Sequence, residues 1–334
     1  MAHGVTATPN NLPDSRVAPG ASVVVMTFNR PDSLRCCLAS LAAQSLDSLA
    51  FEVVVIDVSS PSVDEVLAPF QEQLCLIHHP AANLGVAANR NLGARVARGD
   101  VLVFLDDDCV ASPTWLAGLV EAVVHDPGVL AGARTVHPQP ATGPAAAGQV
   151  INDVVDGFFN PPGSTPRFLP GLNFAVDRSR YLALGGCDPS FGFLAAEDRD
   201  LVDRWRRAGG SLALIQGAQV RHEHRSTWCG FARQYFNYGR GAWHYHRLRR
   251  QRKHGRMWQD ARMHAALPAR LLEPISQVPP QLRLQTILLI VVWQLANLTG
   301  FAWQGVLDVF TIRRNQDHRV LPNTPTELIT TCTP

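Results

Sequence analysis

ASVVVMTFNR, residues 21–30, is the stretch that decides the fold. Val23, Val24 and Val25 form an unbroken β-branched run, the pattern of a strand buried on both faces of a parallel sheet. Pro31 and Asp32 follow at once, and Leu34, Leu38 and Leu41 then recur on one apolar helical face. Working outward, FEVVVIDVSS (51–60), LCLIHH (74–79) and DVLVFLDDDC (100–109) read as further strands of the same kind. Between the last two, NLGVAANRNLGARVARG (83–99) reads as a helix with Gly99 as its stop. Ser112 and Pro113 are placed to cap the next helix, whose inner side carries Trp115, Leu116, Leu119, Val120 and Val123. Strands alternating with helices predict an α/β fold with a doubly wound, mostly parallel sheet.

In such sheets the ligand lies beyond the carboxyl ends of the strands. Here one strand ends in Thr27-Phe28-Asn29, another in Asp57 and a third in Asp106-Asp107-Asp108, so three strands deliver polar residues to one edge. Further along, residues 137–170 are rich in Pro and Gly and read as a long irregular stretch, either a functional loop or a disordered one. Regular pattern returns with GLNFAVDRSRYLALGGCD (171–188), and AEDRDLVDRWRRAGG (196–210) reads as a short helix ended by Gly209. The predicted organisation is a disordered lead-in over 1–20, an α/β domain over 21–225, and a basic, aromatic and apolar helical extension over 226–334.

The chain has 334 residues, 46% of them hydrophobic, enough for a substantial core. Its net charge is only +2, but residues 221–256 hold ten Lys/Arg against Glu223 alone, so this segment carries +9 and the rest −7. Such asymmetry points to an anionic partner or surface, against the plainer reading of a solvated basic helix. Aromatic residues such as Trp228, Tyr235 and Trp243 interleave with these arginines, a mixture suited to an anionic membrane or to phosphates. No recognised nucleic-acid module accompanies it, and no nucleic-acid partner is expected. ILLIVVWQLANLTGFAW (287–303) is at the short end for a spanning helix and equally suits a monotopic or a packing helix. Seven cysteines, an odd number without a CxxC pair, indicate a reducing compartment, hence the cytoplasm or the cytoplasmic face of a membrane.

Three consecutive acids after an apolar strand need neutralising. Two carboxylates about 5 Å apart repel by roughly 3 kcal/mol at an effective dielectric of ~20. A hard divalent cation, Mn²⁺ or Mg²⁺, removes that repulsion and binds carboxylates together with substrate phosphates; the plain alternative is an acidic turn before a helix. Glu197-Asp198, with Asp200, forms a second acidic group, approached through Gly185, Gly186 and Gly192. A carboxylate beside another has its pKa pushed up, which suits a general base, while the helix dipole acts the other way. His222 and His224 form a third group, either of which could add a nitrogen ligand to an oxygen-held metal.

With these motifs in their order and spacing, residues 21 to about 245 resemble the family-2 glycosyltransferases, which have the GT-A fold. The resemblance rests on VVVMTFNR, VVVIDVSS, NLGVAANRNLG, FLDDDC and GLNFAVDRS…GGCDPSFGFLAAEDRDLVDRW. It implies a metal-dependent, inverting transfer of a hexosyl or deoxyhexosyl unit from a nucleotide-sugar donor to a glycan or other acceptor hydroxyl. The basic segment and the apolar 284–304 stretch add the expectation of an acceptor at a membrane, such as a lipid-linked sugar, with a soluble peptide or small molecule as the alternative. Thr27, Asn29 and Arg30 would line the nucleotide pocket, Asp57 would contact the base, and Asn83, Gly85 and Arg90 would form the adjoining wall. Within the acidic run, Asp106 would lie near the ribose and the metal, Asp107 beside the donor, and Asp108 would be the direct ligand. Asp198 would be the catalytic base, Glu197 would position the acceptor, and His222 would reach the diphosphate or metal. The chain departs from the family's pattern at Cys187, where an aromatic is usual, and at Pro189, where an acid is common. Both departures bear on loop packing and acceptor choice.

Two other enzyme classes are disfavoured, nucleotidyltransferases and dehydrogenases, because TFNRPDS after the first strand contains no glycine. The rival from another class is a catalytically inactive sugar-nucleotide binder or membrane scaffold, against which Asp106, Asp108 and Asp198 argue.

Overall fold

The computed structural model describes residues 20–46, 51–222, 227–253 and 258–317, with only the backbone described for 258–261 and 311–317. The predicted lead-in, apart from Gly20, lies outside these residues, as does His224. The β-branched runs form β1 (Ala21–Thr27), β2 (Phe51–Asp57), β3 (Cys75–Pro80) and β4 (Val101–Asp106). The helices α1 (Pro31–Ala42), α2 (Asp64–Leu67) and α3 (Val86–Val96) connect them. β4 leads through a tight turn into β5 (Cys109–Ala111), then α4 (Trp115–His125) and β6 (Val129–Val136). After α5 (Gly143–Phe159) come β7 (Asn173–Asp177), α6 (Arg178–Ala183), α7 (Glu197–Arg207) and β8 (Ser211–His222). The helices α8 (Trp228–Gln251), α9 (Trp258–Gln277) and α10 (Pro280–Asp317) complete the described chain.

The eight-stranded sheet has the order β3-β2-β1-β4-β7-β6-β8-β5. β3, β2, β1 and β4 run parallel, as does the β6–β8 pair, whereas β7 and β5 are antiparallel to their neighbours. The fold is thus the expected mostly parallel α/β sheet with C-terminal helices. Strand residues alternate between two covered faces, which is why the runs are continuously apolar. Val23, Val25 and Val103 pack against α1 and α4, while Val24, Val54 and Phe104 pack against α3, α6 and α7. Thr27 pairs in register with Asp57, and Met26 lies opposite both Ile56 and Asp106, so the polar strand ends meet at one edge.

Three local expectations need correction. The 137–170 stretch is not irregular throughout: α5 occupies Gly143–Phe159, with Thr142 accepting a hydrogen bond from the Ala145 N–H as its cap. Pro144 sits in the first turn, where a missing N–H costs nothing, and Val150, Ile151 and Val154 form a buried face. Gly99 does not stop α3, which ends at Val96; a Cβ there would lie 2.5 Å from the Ala21 backbone, so Gly99 permits close approach to β1. Ser112 does not cap α4 with its side chain; its hydroxyl accepts the Gln219 N–H and ties α4 to β8.

The three C-terminal helices form a separate apolar cluster with α5, in which Val150, Ile151, Phe231, Tyr235, Leu289 and Trp293 are buried. α8 and α10 cross at glycines: a Cβ on Gly239 would lie 2.0 Å from the Asn297 carbonyl oxygen, and one on Gly300 2.0 Å from that of Phe236. Gly241 meets the backbone of Ala195 equally closely, so α8 abuts the loop leading into Glu197.

Candidate active site

Two groups of charges stand at the carboxyl edge of the sheet. The first is built by β1, β4 and β8. Thr27 ends β1 and donates its hydroxyl to Asp107 Oδ2 at 2.9 Å. Arg30, just before α1, lies 3.2 Å from Asp107 and 2.9 Å from Asp108. β5 pairs antiparallel with β8 so that Cys109 stands opposite His222, and this register sets His222 Nε2 3.2 Å from Asp108 Oδ1. Burial works to raise the Asp108 carboxyl, but the hydrogen bond and charge of His222, with Arg30, outweigh it and hold the group below its ordinary range. Burial likewise opposes protonation of His222, yet Asp108 and Asp106 raise its pKa. Asp107 is pushed up to about 6, chiefly by burial and against the pull of Arg30.

The second group is organised by Arg90, 3% exposed on α3. Its guanidinium donates to Glu197 Oε1 at 2.8 Å, to Asp106 Oδ1 at 3.3 Å and to the Gly171 carbonyl at 2.7 Å. Gly171 returns its N–H to Asp198 Oδ2 at 2.9 Å. A Cβ on Gly171 would lie 2.7 Å from Arg90 Nη1 and 3.0 Å from Asp198 Cβ, so only glycine lets the three meet. Glu197 and Asp198 open α7, whose dipole favours acids there. Burial and the neighbouring Asp198 nonetheless push the Glu197 carboxyl up to about 7, against Arg90.

The loops beside these groups are closed by the residues expected to line the donor pocket. Asn29 adopts a positive φ of 53°, which asparagine tolerates, and exchanges hydrogen bonds with Ser59 and Ser60. Asp57 turns its carboxylate into the β2–α2 loop, accepting from the Ser59 and Val63 N–H groups and the Ser62 hydroxyl and meeting His78 Nε2 at 3.1 Å. It therefore fixes the backbone of the β2–α2 loop. Asn83 accepts the Gly85 N–H, and Gly85 approaches Gly192 so closely that a Cβ would overlap its carbonyl.

Donor atoms of Asp108, Cys109 and His222 lie within 4.8 Å of one another. Burial, reinforced by the Asp106 and Asp108 charges, raises the Cys109 thiol above its ordinary pKa, and a soft sulfur donor is poorly matched to a hard divalent cation. What remains is an oxygen–nitrogen pair in an acidic field, a donor set that fits Mn²⁺. Asp106, expected as a ligand too, is not in this group: its Oδ1 accepts from Arg90, because a buried guanidinium needs a counter-charge.

This geometry coincides with a family pattern: residues 22–194 match the model of glycosyl transferase family 2. The chain belongs to that family. It is 29% identical over 239 residues to a glucosyl-dolichyl phosphate glucuronosyltransferase of Haloferax volcanii, spanning 64% of this chain and 76% of that protein. It is 27% identical over 241 residues to a chondroitin synthase of Escherichia coli, spanning 62% of this chain but 35% of the larger protein. A mannosyltransferase of Pyrobaculum calidifontis, solved with GDP-Man and Mn²⁺, shares the fold with a TM-score of 0.58 at 18% identity, over 91% of this chain and 89% of that one. This glycosyltransferase is thus of the family that uses nucleotide-sugar donors, on a GT-A-type fold.

Within it, Thr27, Arg30, Asp107, Asp108 and His222 come together as one group, and Arg90, Asp106, Glu197 and Asp198 as the other. The linking element missing from the sequence reading is Gly171, whose signal was its place at the head of GLNFAVD. His137 also escaped notice; its Nδ1 lies 3.3 Å from the His222 carbonyl oxygen, behind the candidate ligand. The departure at Cys187 proves to be a packing matter: its backbone pairs both ways with Asn91, and its thiol lies 3.4 Å from the Tyr181 hydroxyl.

Proposed function

We propose that this family-2 enzyme transfers a hexosyl or deoxyhexosyl unit, with inversion, to a hydroxyl of a lipid-linked glycan at the cytoplasmic face of a membrane. The observation that carries this reading is the Arg90 bridge, which fastens the Glu197–Asp198 pair to the end of β4, beside the Asp108–His222 pair. On this reading, acceptor activation belongs to the Glu197–Asp198 pair and leaving-group neutralisation to the Asp108–His222 pair.

Asp198 is the base. Its Oδ2 takes one N–H from Gly171 and its Oδ1 one from Arg199, leaving lone pairs on both oxygens to accept the acceptor's proton. As that proton moves to Asp198, the acceptor oxygen bonds to the anomeric carbon and the bond to the nucleoside diphosphate breaks with its electrons. Attack from the face opposite the leaving group inverts the configuration. Glu197, buried and engaged by Arg90, positions the acceptor instead of taking its proton. Mn²⁺ or Mg²⁺ held by Asp108 and His222 would supply neutralisation of the departing diphosphate, as the Mn²⁺ bound with GDP-Man in the mannosyltransferase relative suggests. Arg30, next to Asp108, adds a fixed positive charge on that side.

The membrane assignment draws on α10. Residues Pro280–Phe310 are apolar enough to cross a bilayer, and at roughly 46 Å long enough. Leu284, Ile287, Leu288, Val291, Leu295 and Leu298 are all exposed along it. Its opposite side is docked: Leu289 and Trp293 pack into the apolar cluster, Gln304 accepts from Arg240, and Asp308 accepts from Trp243 and pairs with Arg247 of α8. A helix tied along one side to the protein lies in the interface rather than across it. The division into an α/β domain over 21–225 and a membrane-facing extension from 226 follows, with α5 contributed by the former to the latter. The glucuronosyltransferase relative's glucosyl-dolichyl phosphate supports an acceptor of lipid-linked type.

The test is to incubate the full chain with UDP- and GDP-sugars, Mn²⁺ and a membrane-lipid extract, following nucleoside diphosphate release and the product's anomeric configuration by NMR. Release with one donor and an inverted product is expected; a retained configuration would refute the single displacement through Asp198.

A further inference from the structure

On the outer side of α7 lies a cavity of about 270 Å³, between the end of α5, the 160–168 loop, α8 and the start of α9. It is smaller than the ~300–1,000 Å³ typical of pockets for drug-sized ligands, yet ample for a phosphate with part of an attached group. Five guanidinium groups line it, those of Arg167, Arg199, Arg206, Arg249 and Arg262, against one carboxylate, Asp203. That carboxylate is already shared, by Arg207 at 3.0 Å and Arg249 at 3.7 Å. Helical spacing explains the arrangement: Arg199, Asp203 and Arg206 fall on one face of α7, while Leu201 and Trp205 face the sheet. Gathering five like charges around a cavity is unfavourable unless an anion joins them, and the planar guanidinium is the group that best grips phosphate.

The remaining walls are aromatic. The Arg199 guanidinium lies 4.8 Å from the Tyr245 ring centre and 5.9 Å from that of Phe159, and Arg249 lies 5.2 Å from Tyr245. Phe158 belongs both to this cavity and to the apolar cluster containing Leu289 and Trp293 of α10. The cavity therefore borders the helical layer whose outer face is the apolar stripe. It also borders the base: Arg199 follows Asp198 directly, and the loop carrying Arg167 and Phe168 ends at Gly171, which holds Asp198. Arg206 stands eight residues beyond Asp198, roughly 12 Å along the helix, a separation that a sugar ring or two spans.

We infer that this cavity holds the phosphate of a lipid-linked sugar phosphate, whose sugar hydroxyl thereby reaches Asp198 while its chain runs out toward the α10 face. The inference rests on the reading of Asp198 as the base that meets the acceptor. It explains why an acceptor of this class would be chosen over a free sugar: the phosphate supplies the binding and the sugar the reacting group.

The experiment titrates the full chain, in mild detergent, with n-decyl phosphate, n-decyl glucoside and inorganic phosphate, using calorimetry. The wild type is compared with the double variant Arg206→Gln/Arg249→Gln and with Arg35→Gln, an exposed arginine of α1 far from the cavity. Saturable binding of decyl phosphate, weakened at least about tenfold in the double variant and unchanged in Arg35→Gln, is the expected result. Equal affinity for decyl phosphate in all three proteins, or none in the wild type, would overturn the site. Inorganic phosphate bound as tightly as decyl phosphate, or decyl glucoside bound as tightly, would overturn the lipid-phosphate assignment. UDP and GDP binding with Mn²⁺ is measured on the same samples. Intact nucleotide binding in the double variant shows that it folds, and loss of nucleotide binding in the wild type would count against the donor site, independently of the decyl phosphate result.

Discussion

The sheet edge and α10 obey opposite rules. At the edge, apolar residues are hidden within the strands and charges are concentrated where the strands end, with Arg90, Asp107 and Glu197 all buried. Along α10, Leu288, Val291 and Leu295 face outward, while Leu289 and Trp293 pack inward with α5, and Gln304 and Asp308 hold α8. So continuous an exposed apolar stripe marks an interaction surface. The charged edge, by contrast, keeps water's order but spends burial on holding carboxylates close. We read the first region as meeting a nucleotide sugar and propose the second as meeting lipid; α8, packed against Ala195 as well as α10, joins them.

The contrast can be broken first at the base. Asp198→Asn is expected to lower the transfer rate about 10³-fold, within the range for loss of a general base, with donor binding unchanged; turnover and nucleotide titration on one sample check both. Arg90→Met leaves Glu197 and Asp106 without their counter-charge and should destabilise the fold by about 3–5 kcal/mol, read by chemical denaturation. Gly239→Ala drives a methyl group into the Asn297 backbone and should cost about 1–3 kcal/mol by the same assay, without directly touching the charged edge. Val291→Asp with Leu295→Asp should reduce binding to anionic vesicles about tenfold or more while leaving the melting temperature nearly unchanged, since both side chains are exposed.

A further effect concerns pH. The Glu197 carboxyl has its folded-state pKa raised to about 7, so the folded protein binds its proton more tightly than the unfolded chain, where the value is near the ordinary 4.5. Its contribution to stability is therefore full below about pH 4.5 and is lost as pH rises through about 7. Glu197→Gln should flatten that part of the stability–pH profile between these values. An unchanged slope would assign it to Asp107, whose carboxyl is displaced in the same direction.

Much of the sheet is legible because burial on both faces leaves an uninterrupted apolar signature in β1, β2 and β4, and because β2 and β4 end in acids. The acidic runs at 106–108 and 197–198 were legible for the same reason: charge next to core demands an explanation. α5 was not, since Pro144 and its glycines obscure a helix whose stability comes from packing against α9 and α10, contacts that no local pattern reveals. β6 was likewise passed over, its VLAGARTV having little β-branched content and its pairing partners lying distant in sequence. Arg90 was placed on the pocket wall, but its bridging role depends on Gly171 and Glu197, 81 and 107 residues away. The resemblance groups Asp106 with Asp108, but β4 ends at Asp106 and Asp108 lies in the turn before β5, so one carboxylate accepts from Arg90 and the other meets His222.

The central claim, that the edge between Asp108–His222 and Asp198 receives a metal-bound nucleotide sugar, is tested most directly by calorimetric titration of the full chain with UDP and GDP, with and without Mn²⁺. Wild type is compared with Asp108→Asn. Metal-dependent binding of one nucleoside diphosphate, lost in the variant, is the predicted result; binding that ignores both the metal and the substitution would contradict the account.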